Sequence, residues 1–284
     1  MPRLPSFHHL RPLRRPAQSL IAIAHLVGAL VGLAPAAGFA DDLRNDAASY
    51  ERCMNTARKE PADGFEMASV WKEHGGGLPA EHCAAVALMG LKQYALAGDQ
   101  LETLAKEMVR EAPSLRAQVL SQAGDAWLEA GEPEKARADL TAAIGLDPKD
   151  PSLLVDRARA FAAAKDYKAA KEDLNRALTG GAARGEVLTY RAAANRLMGN
   201  LADARKDADD AVAAAPGSAD AWLERANIRR LQKDEKGARA DWIKVLELAP
   251  DSPAGDAARD NLAAMDVHVE AAPADKSGSA APKH

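Results

Sequence analysis

The sequence predicts an all-α fold: a right-handed solenoid of stacked helical hairpins, with divergent hairpins at its start and a capping helix at its end. Three observations lead there. Of 284 residues 65 are Ala, while aromatics make up only 4%. Ala has the best helix propensity and lets helices approach closely, whereas thick sheets need bulky and β-branched side chains. All-β and doubly wound α/β architectures are disfavoured on that ground. The second observation is a 34-residue period that runs without insertion. The third is the placing of turn residues within each period, which marks two helices and a stop.

Residues 1–40 read as a secretory signal peptide. Arg3, Arg11, Arg14 and Arg15 precede an apolar run from Leu20 to Leu33, and the small-residue segment APAAGFA follows. A basic region, a short apolar core and small residues before Asp41-Asp42 fit cleavage after Ala40, or after Ala36 or Ala37. The alternative is an uncleaved anchor, for which the run is short, since a bilayer core needs about 20 apolar residues. No Cys follows the run, so a lipoprotein is not indicated. The expected localisation is periplasmic. Without residues 1–40, Lys+Arg falls from 37 to 33 while Asp+Glu stays at 41, so the net charge moves from −4 to −8. Such a surface repels phosphate backbones and anionic headgroups, and neither nucleic acid nor membrane is an expected partner of the mature chain.

Residues 41–111 read as divergent helical hairpins. Segments 43–58 and 62–73 form the first pair, with Pro61 suited to a first helical turn and Gly75, Gly76 and Gly77 ending it. AEHCAAVALMGL and YALAGDQLETLAKEM form the second pair. The mature chain holds two cysteines, Cys53 and Cys83. Export favours a disulfide between them, and in a stack their helices are neighbours. Free thiols are one alternative. A thiol or metal site drawn from Cys53, His74, His82 and Cys83 is another, although its spacing matches no compact zinc pattern.

Residues 117–252 carry the period. Gly124, Ala158, Ala192 and Ala226 stand 34 apart, as do Ala136, Ala170, Ala204 and Ala238, and Leu120, Leu154, Leu188 and Trp222. Each unit reads as helix, turn, helix, with turns at Gly131-Glu132, Lys165-Asp166, Gly199-Asn200 and Lys233-Asp234. Pro148, Pro216 and Pro250 stop the second helix, since Pro cannot continue a helix interior. A lone hairpin cannot bury both faces, so the units must stack. Residues 253–266 read as a helix capping the last unit, and 267–284, rich in Ala, Pro, Ser and Lys, receive no structure.

These columns resemble the tetratricopeptide repeat (TPR) family. Leu120, Gly124, Trp127, Ala136, Ala143 and Pro148 match its pattern, as do Leu154, Ala158, Phe161, Tyr167, Ala170 and Ala177. The third and fourth units depart at the first-helix aromatic, where Asn195 and Arg229 stand. The resemblance implies a concave channel, lined by the first helices, that holds peptides or partner helices. By helix phase the positions facing it include Gln122, Asp125, Asp156, Arg159, Tyr190, Arg196, Asn227 and Arg230, with Ser121 and Glu224 beside them. In TPR modules that capture a C-terminal carboxylate, Lys joins Asn and Arg on this face. No Lys does so here, and that clamp is not carried over.

Two charged columns remain. Arg157, Arg191 and Arg225 recur on the first helices, and Asp139, Asp173, Asp207 and Asp241 on the second. A chemical site is singular, whereas structural elements are copied with their repeat. These residues therefore read as an ion-pair ladder between packed helices, with Asp173 set against Arg191. No Gly-rich phosphate loop, GxSxG, HExxH or Ser/His/Asp set occurs, so neither an enzyme nor a cofactor is expected. The sequence thus points to a periplasmic scaffold that holds a partner polypeptide in its groove, in cell-envelope assembly. A membrane-tethered scaffold is the alternative.

Overall fold

A computed structural model describes residues 37–270, and among these it contains thirteen helices and no strand. In order they are α1 (Ala37–Lys59), α2 (Pro61–Glu73), α3 (Gly77–Gly90), α4 (Tyr94–Glu107), α5 (Pro113–Glu129), α6 (Pro133–Leu146), α7 (Ser152–Ala163), α8 (Tyr167–Thr179), α9 (Arg184–Leu197), α10 (Leu201–Ala214), α11 (Ala219–Leu231), α12 (Glu235–Leu248) and α13 (Pro253–Glu270). Of the signal-peptide reading, only Ala37–Ala40 fall inside this range, at the start of α1, and residues 1–36 lie outside the described residues. The unstructured assignment from 267 begins inside α13, and its remainder lies outside them too. No helix among the described residues is long and apolar enough to cross a membrane.

The hairpin turns show why the period is strict. Gly131, Lys165, Gly199 and Lys233 occupy one register and all have left-handed backbone, with φ between 64 and 81°. The next residue then donates its N–H to a carbonyl five back: Glu132 to Trp127, Asp166 to Phe161, Asn200 to Asn195 and Asp234 to Arg229, at 2.8–2.9 Å. That closure satisfies the last carbonyls of the first helix and reverses the chain. Asp166 and Asp234 accept from the backbone N–H three residues on and so start the second helix.

Small residues set how near the two helices come. Ala136, Ala170, Ala204 and Ala238 are completely buried where the helices cross. In the first unit the opposing position is Gly124, where an added Cβ would stand 2.7 Å from Leu140 Cγ. Larger apolar groups fill the space between units, with Trp127, Leu140, Leu174, Leu188, Leu223 and Trp242 all buried. At the C-terminus, Ala254, Ala258, Leu262 and Met265 of α13 cover Leu223, Trp242 and Val245. At the N-terminus, α1, α3, α4 and α5 share one apolar cluster. Cys53 of α1 is joined there to Cys83 of α3 by a disulfide, with Cα atoms 6.1 Å apart. No free cysteine remains among the described residues.

Candidate functional site on the inner face of the first helices

First helices of successive units touch one another (α5 with α7, α7 with α9, α9 with α11), whereas no two second helices make contact of that extent. The array therefore curves with the first helices inside. Residues 34 apart on them share a register, so Gln122, Asp156, Tyr190 and Glu224 form one row and Asp125, Arg159, Ala193 and Asn227 the next.

The residues expected to face solvent here are largely engaged with each other. Tyr190, Arg196 and Asn227 are only 4%, 6% and 5% exposed, which corrects their reading as open contact residues. Neighbouring first helices lie close enough that a side chain on this face reaches the next helix before it reaches water. A polar seam results. Arg196 grips Glu224 through two hydrogen bonds, of 2.6 and 3.1 Å. Arg159 donates to Asp125 at 2.6 Å and lies 3.7 Å from Asp156, which itself accepts from Ser121 at 2.8 Å. Arg230 donates to Asn261 of α13 at 3.0 Å. Gln122 meets His82 of α3 at 2.7 Å, and the other ring nitrogen lies 2.7 Å from the Tyr50 hydroxyl of α1. The Gln122 carbonyl oxygen can only accept, so His82 Nε2 donates to it and Nδ1 accepts from Tyr50.

The electrostatics of this face lean acidic. Burial is the largest influence on Tyr190, whose hydroxyl it pushes up, and Arg159, Glu186, Asp220 and Asp156 all act on it through space. Three first helices, α7, α9 and α11, thus bring carboxylates to one neighbourhood, together with the buried cation Arg159. Asp220 is pushed up to about 6 by burial alone. Asn227 Nδ2 is buried without an acceptor.

The charged columns form a structural device between the helices. Arg157, Arg191 and Arg225 each hold the Asp sixteen residues later, in their own hairpin: Asp173 at 2.7 and 2.9 Å, Asp207 at 2.9 and 2.6 Å, and Asp241 at 2.9 and 2.8 Å. Asp173 is therefore the partner of Arg157, not of Arg191, because the two helices of one unit are closer than the second helix is to the next unit's first. The remaining guanidinium nitrogen reaches back to the preceding unit, at Thr141, Asn175 and Asp209. Where the family aromatic is missing, Asn195 and Arg229 add donors to Asp207 and Asp241, at 3.0 Å each. Asp139 is no rung at all. Its register partner is Ala123, and its Oδ2 is buried with no hydrogen bond. The Trp127 indole N–H, which gives its 2.9 Å hydrogen bond to Glu102, also favours the Asp139 carboxylate.

Around the cysteines lie the apolar side chains of the N-terminal cluster. His82 is committed to Tyr50 and Gln122, His74 is exposed at the end of α2, and no cluster of three His, Cys, Asp or Glu suited to a metal occurs among the described residues. The same terminal hairpin leaves Phe65 partly exposed, and Met67 and Val70 partly exposed at a hollow that Arg52 and Trp71 also line.

The tetratricopeptide repeat family model matches residues 121–186 and 198–253. Those residues carry tetratricopeptide repeats. A TPR protein from Parabacteroides merdae aligns over 77% of this chain and 84% of its own, with 15% identity and a TM-score of 0.62. TPR-like repeats of a putative kinesin light chain from Podosopora anserina align over 61% and 94%, with 16% identity and a TM-score of 0.51. Both likenesses concern the fold. The second TPR domain of human RPAP3, solved in complex with an HSP70 peptide, aligns over 41% of this chain and 98% of its own at 24% identity and a TM-score of 0.39. Comparison with curated proteins found no match. In this repeat array 34-residue columns make the hairpins legible, whereas the polar seam across the first helices is not read from them. Its signal is present in the sequence as opposite charges at inter-unit spacings, Asp125 with Arg159 and Arg196 with Glu224.

Proposed function

We propose that this TPR protein is an interaction scaffold that holds a partner polypeptide along the inner face of α5, α7, α9 and α11. The observation that carries this reading is the continuous first-helix surface. On it the amide nitrogen of Asn227 is buried without an acceptor in the chain. The Arg–Asp columns, by contrast, are satisfied internally and hold the units in register. Residues 1–40 act as an export signal in this proposal, and the mature chain serves cell-envelope assembly in the periplasm. A disulfide supports export, because such bonds persist in oxidising compartments.

The test places a photo-crosslinking amino acid at Asp125 or Asp220 in the full chain, and at exposed second-helix positions Glu172 or Lys206 as controls. A discrete adduct from the inner positions and not from the controls is the expected result. Adducts from the second helices alone would move the binding surface elsewhere. Sequencing the N-terminus of the envelope-fraction protein decides cleavage: a start at or near Asp41 supports the signal, and a retained Met1 supports the tethered alternative.

A further inference from the structure

Among the described residues no unit stacks on the outer side of α1 and α2, whereas α13 covers the last unit at the other end. An end unit without a neighbour needs a polar outer face, since nothing else buries an apolar one. The first hairpin does not supply it. Gly64 and Ala68 are the residues that α2 buries, and an added Cβ at Gly64 would stand 2.3 Å from Ala57 Cα, so that side of the helix is already pressed against α1. Met67 and Val70 lie on the adjoining stripe and stay 39% and 51% exposed. Asp63 and Glu66 share this stripe at spacings of three and four residues, and both are exposed. Neither acid is held in an ion pair among the described residues. Arg52 of α1, also exposed, and the half-buried Trp71 line the same hollow. The surface thus joins an apolar floor to a rim with a cation from one helix and two acids from the other.

We infer that this face pairs with a second copy of itself, α1 and α2 of one chain lying on α1 and α2 of the other about a two-fold axis. The charges argue for that occupant. A two-fold contact is self-complementary only where one surface carries both members of each pair, and here Arg52 stands on α1 while Asp63 and Glu66 stand on α2. An axis that lays α1 over the α2 of the copy sets Arg52 against the copy's acids, and symmetry makes the same contact a second time. Met67, Val70 and Trp71 then form a dry centre inside the charged rim. A face built for a strongly basic or strongly acidic partner would carry one sign of charge instead. The patch is small, which sets the pairing in the weak, micromolar class. It uses the outside of the end hairpin and leaves the inner face of α5 to α11 open. A pair of copies therefore presents two grooves at once, and a partner with two binding segments gains avidity from it.

The test is sedimentation velocity of the full purified chain, from about 1 to about 100 μM. Variants are Val70→Asp, Arg52→Glu and the reversal Arg52→Glu/Glu66→Arg. Leu96→Asp on α4, 56% exposed and outside the hollow, controls for the loss of any exposed apolar group. The expected result is a monomer–dimer equilibrium, weakened about tenfold by Val70→Asp and by Arg52→Glu, and unchanged by Leu96→Asp. The reversal should return it to within about threefold of the parent, because the acid and the base have only changed places. All four positions are exposed, so the variants keep the fold of the parent. A monomer at every concentration would overturn the inference and leave the face to a different partner. Association that Val70→Asp leaves unchanged would also overturn it, by placing the contact elsewhere on the chain. A reversal no better than Arg52→Glu alone would remove the charge pairing on which the choice of occupant rests. The inner-face crosslinks report separately on the scaffold reading, which neither result decides.

Discussion

Four aspartates share one register, and only three of them meet a guanidinium, because the place filled by Arg157, Arg191 and Arg225 is Ala123 in the first unit. The two situations predict opposite mutational effects. Asp173 is almost fully buried and doubly bonded to Arg157. Asp173→Ala leaves that cation without its partner and should cost about 3 kcal/mol, the scale of a broken buried pair. Removing both charges in Asp173→Ala/Arg157→Leu should restore part of the loss, while Asp173→Ala/Arg191→Leu should lower stability further. Thermal melts of the three variants decide it, and recovery with Arg191 rather than Arg157 would contradict the pairing. Asp139 behaves in the other sense. Burial first, and then the nearby Glu102 carboxylate, push it up to about 7. A carboxyl whose folded value lies above its ordinary 3.8 is at no disadvantage while protonated in both states, and it destabilises the fold progressively as pH rises from about 4 to about 7. Asp139→Asn should therefore raise the melting temperature at pH 8 and change little at pH 4. An equal gain at both pH values would show that charge is not the cause.

At the scale of the helix, the hairpins are legible in sequence because each is dictated locally. A left-handed residue in one register, an N-cap after it and a buried Ala at the crossing recur every 34 residues, and local rules suffice to place them. The inner face is less legible because helix phase says which side of one helix is polar, not what the next helix places against it. Tyr190, Arg196 and Asn227 read as solvated on an isolated helix and are covered once α9 and α11 lie side by side. The N-terminal hairpins follow the same logic through His82, which ties α1 to α5 by way of α3. Burial lowers its folded pKa from 6.5 to about 4. The unfolded chain takes a proton there between those values and the folded chain refuses it, so stability is full above about pH 6.5 and is lost as pH falls towards 4. The whole effect is about 3 kcal/mol, from the size of that shift. His82→Gln should flatten the difference in stability between pH 7 and pH 4.5. An unchanged slope would assign the acid sensitivity to carboxylates elsewhere.

Over the whole molecule, stability is a chain of nearest-neighbour interfaces, so a lesion at one end need not be felt at the other. The two ends are closed by different means. At the C-terminus an apolar helix face, Ala254, Ala258, Leu262 and Met265, covers the last unit. At the N-terminus α2 is short of large buried groups, since Gly64 and Ala68 are its buried residues and several of its apolar side chains remain exposed. The Cys53–Cys83 bond, closing a separation of 30 residues, takes over the fastening there. On the chain-entropy account a loop of that size adds about 3–4 kcal/mol. That contribution belongs to α1–α3 and not to the distant units. Cys53→Ala/Cys83→Ala should accordingly split the unfolding transition. Hydrogen exchange is expected to speed up in α1, α2 and α3 while protection in α9–α12 stays as in the parent chain. Uniform loss of protection from end to end would mean that the array unfolds as one cooperative body, and that the bond acts on every unit through its neighbours.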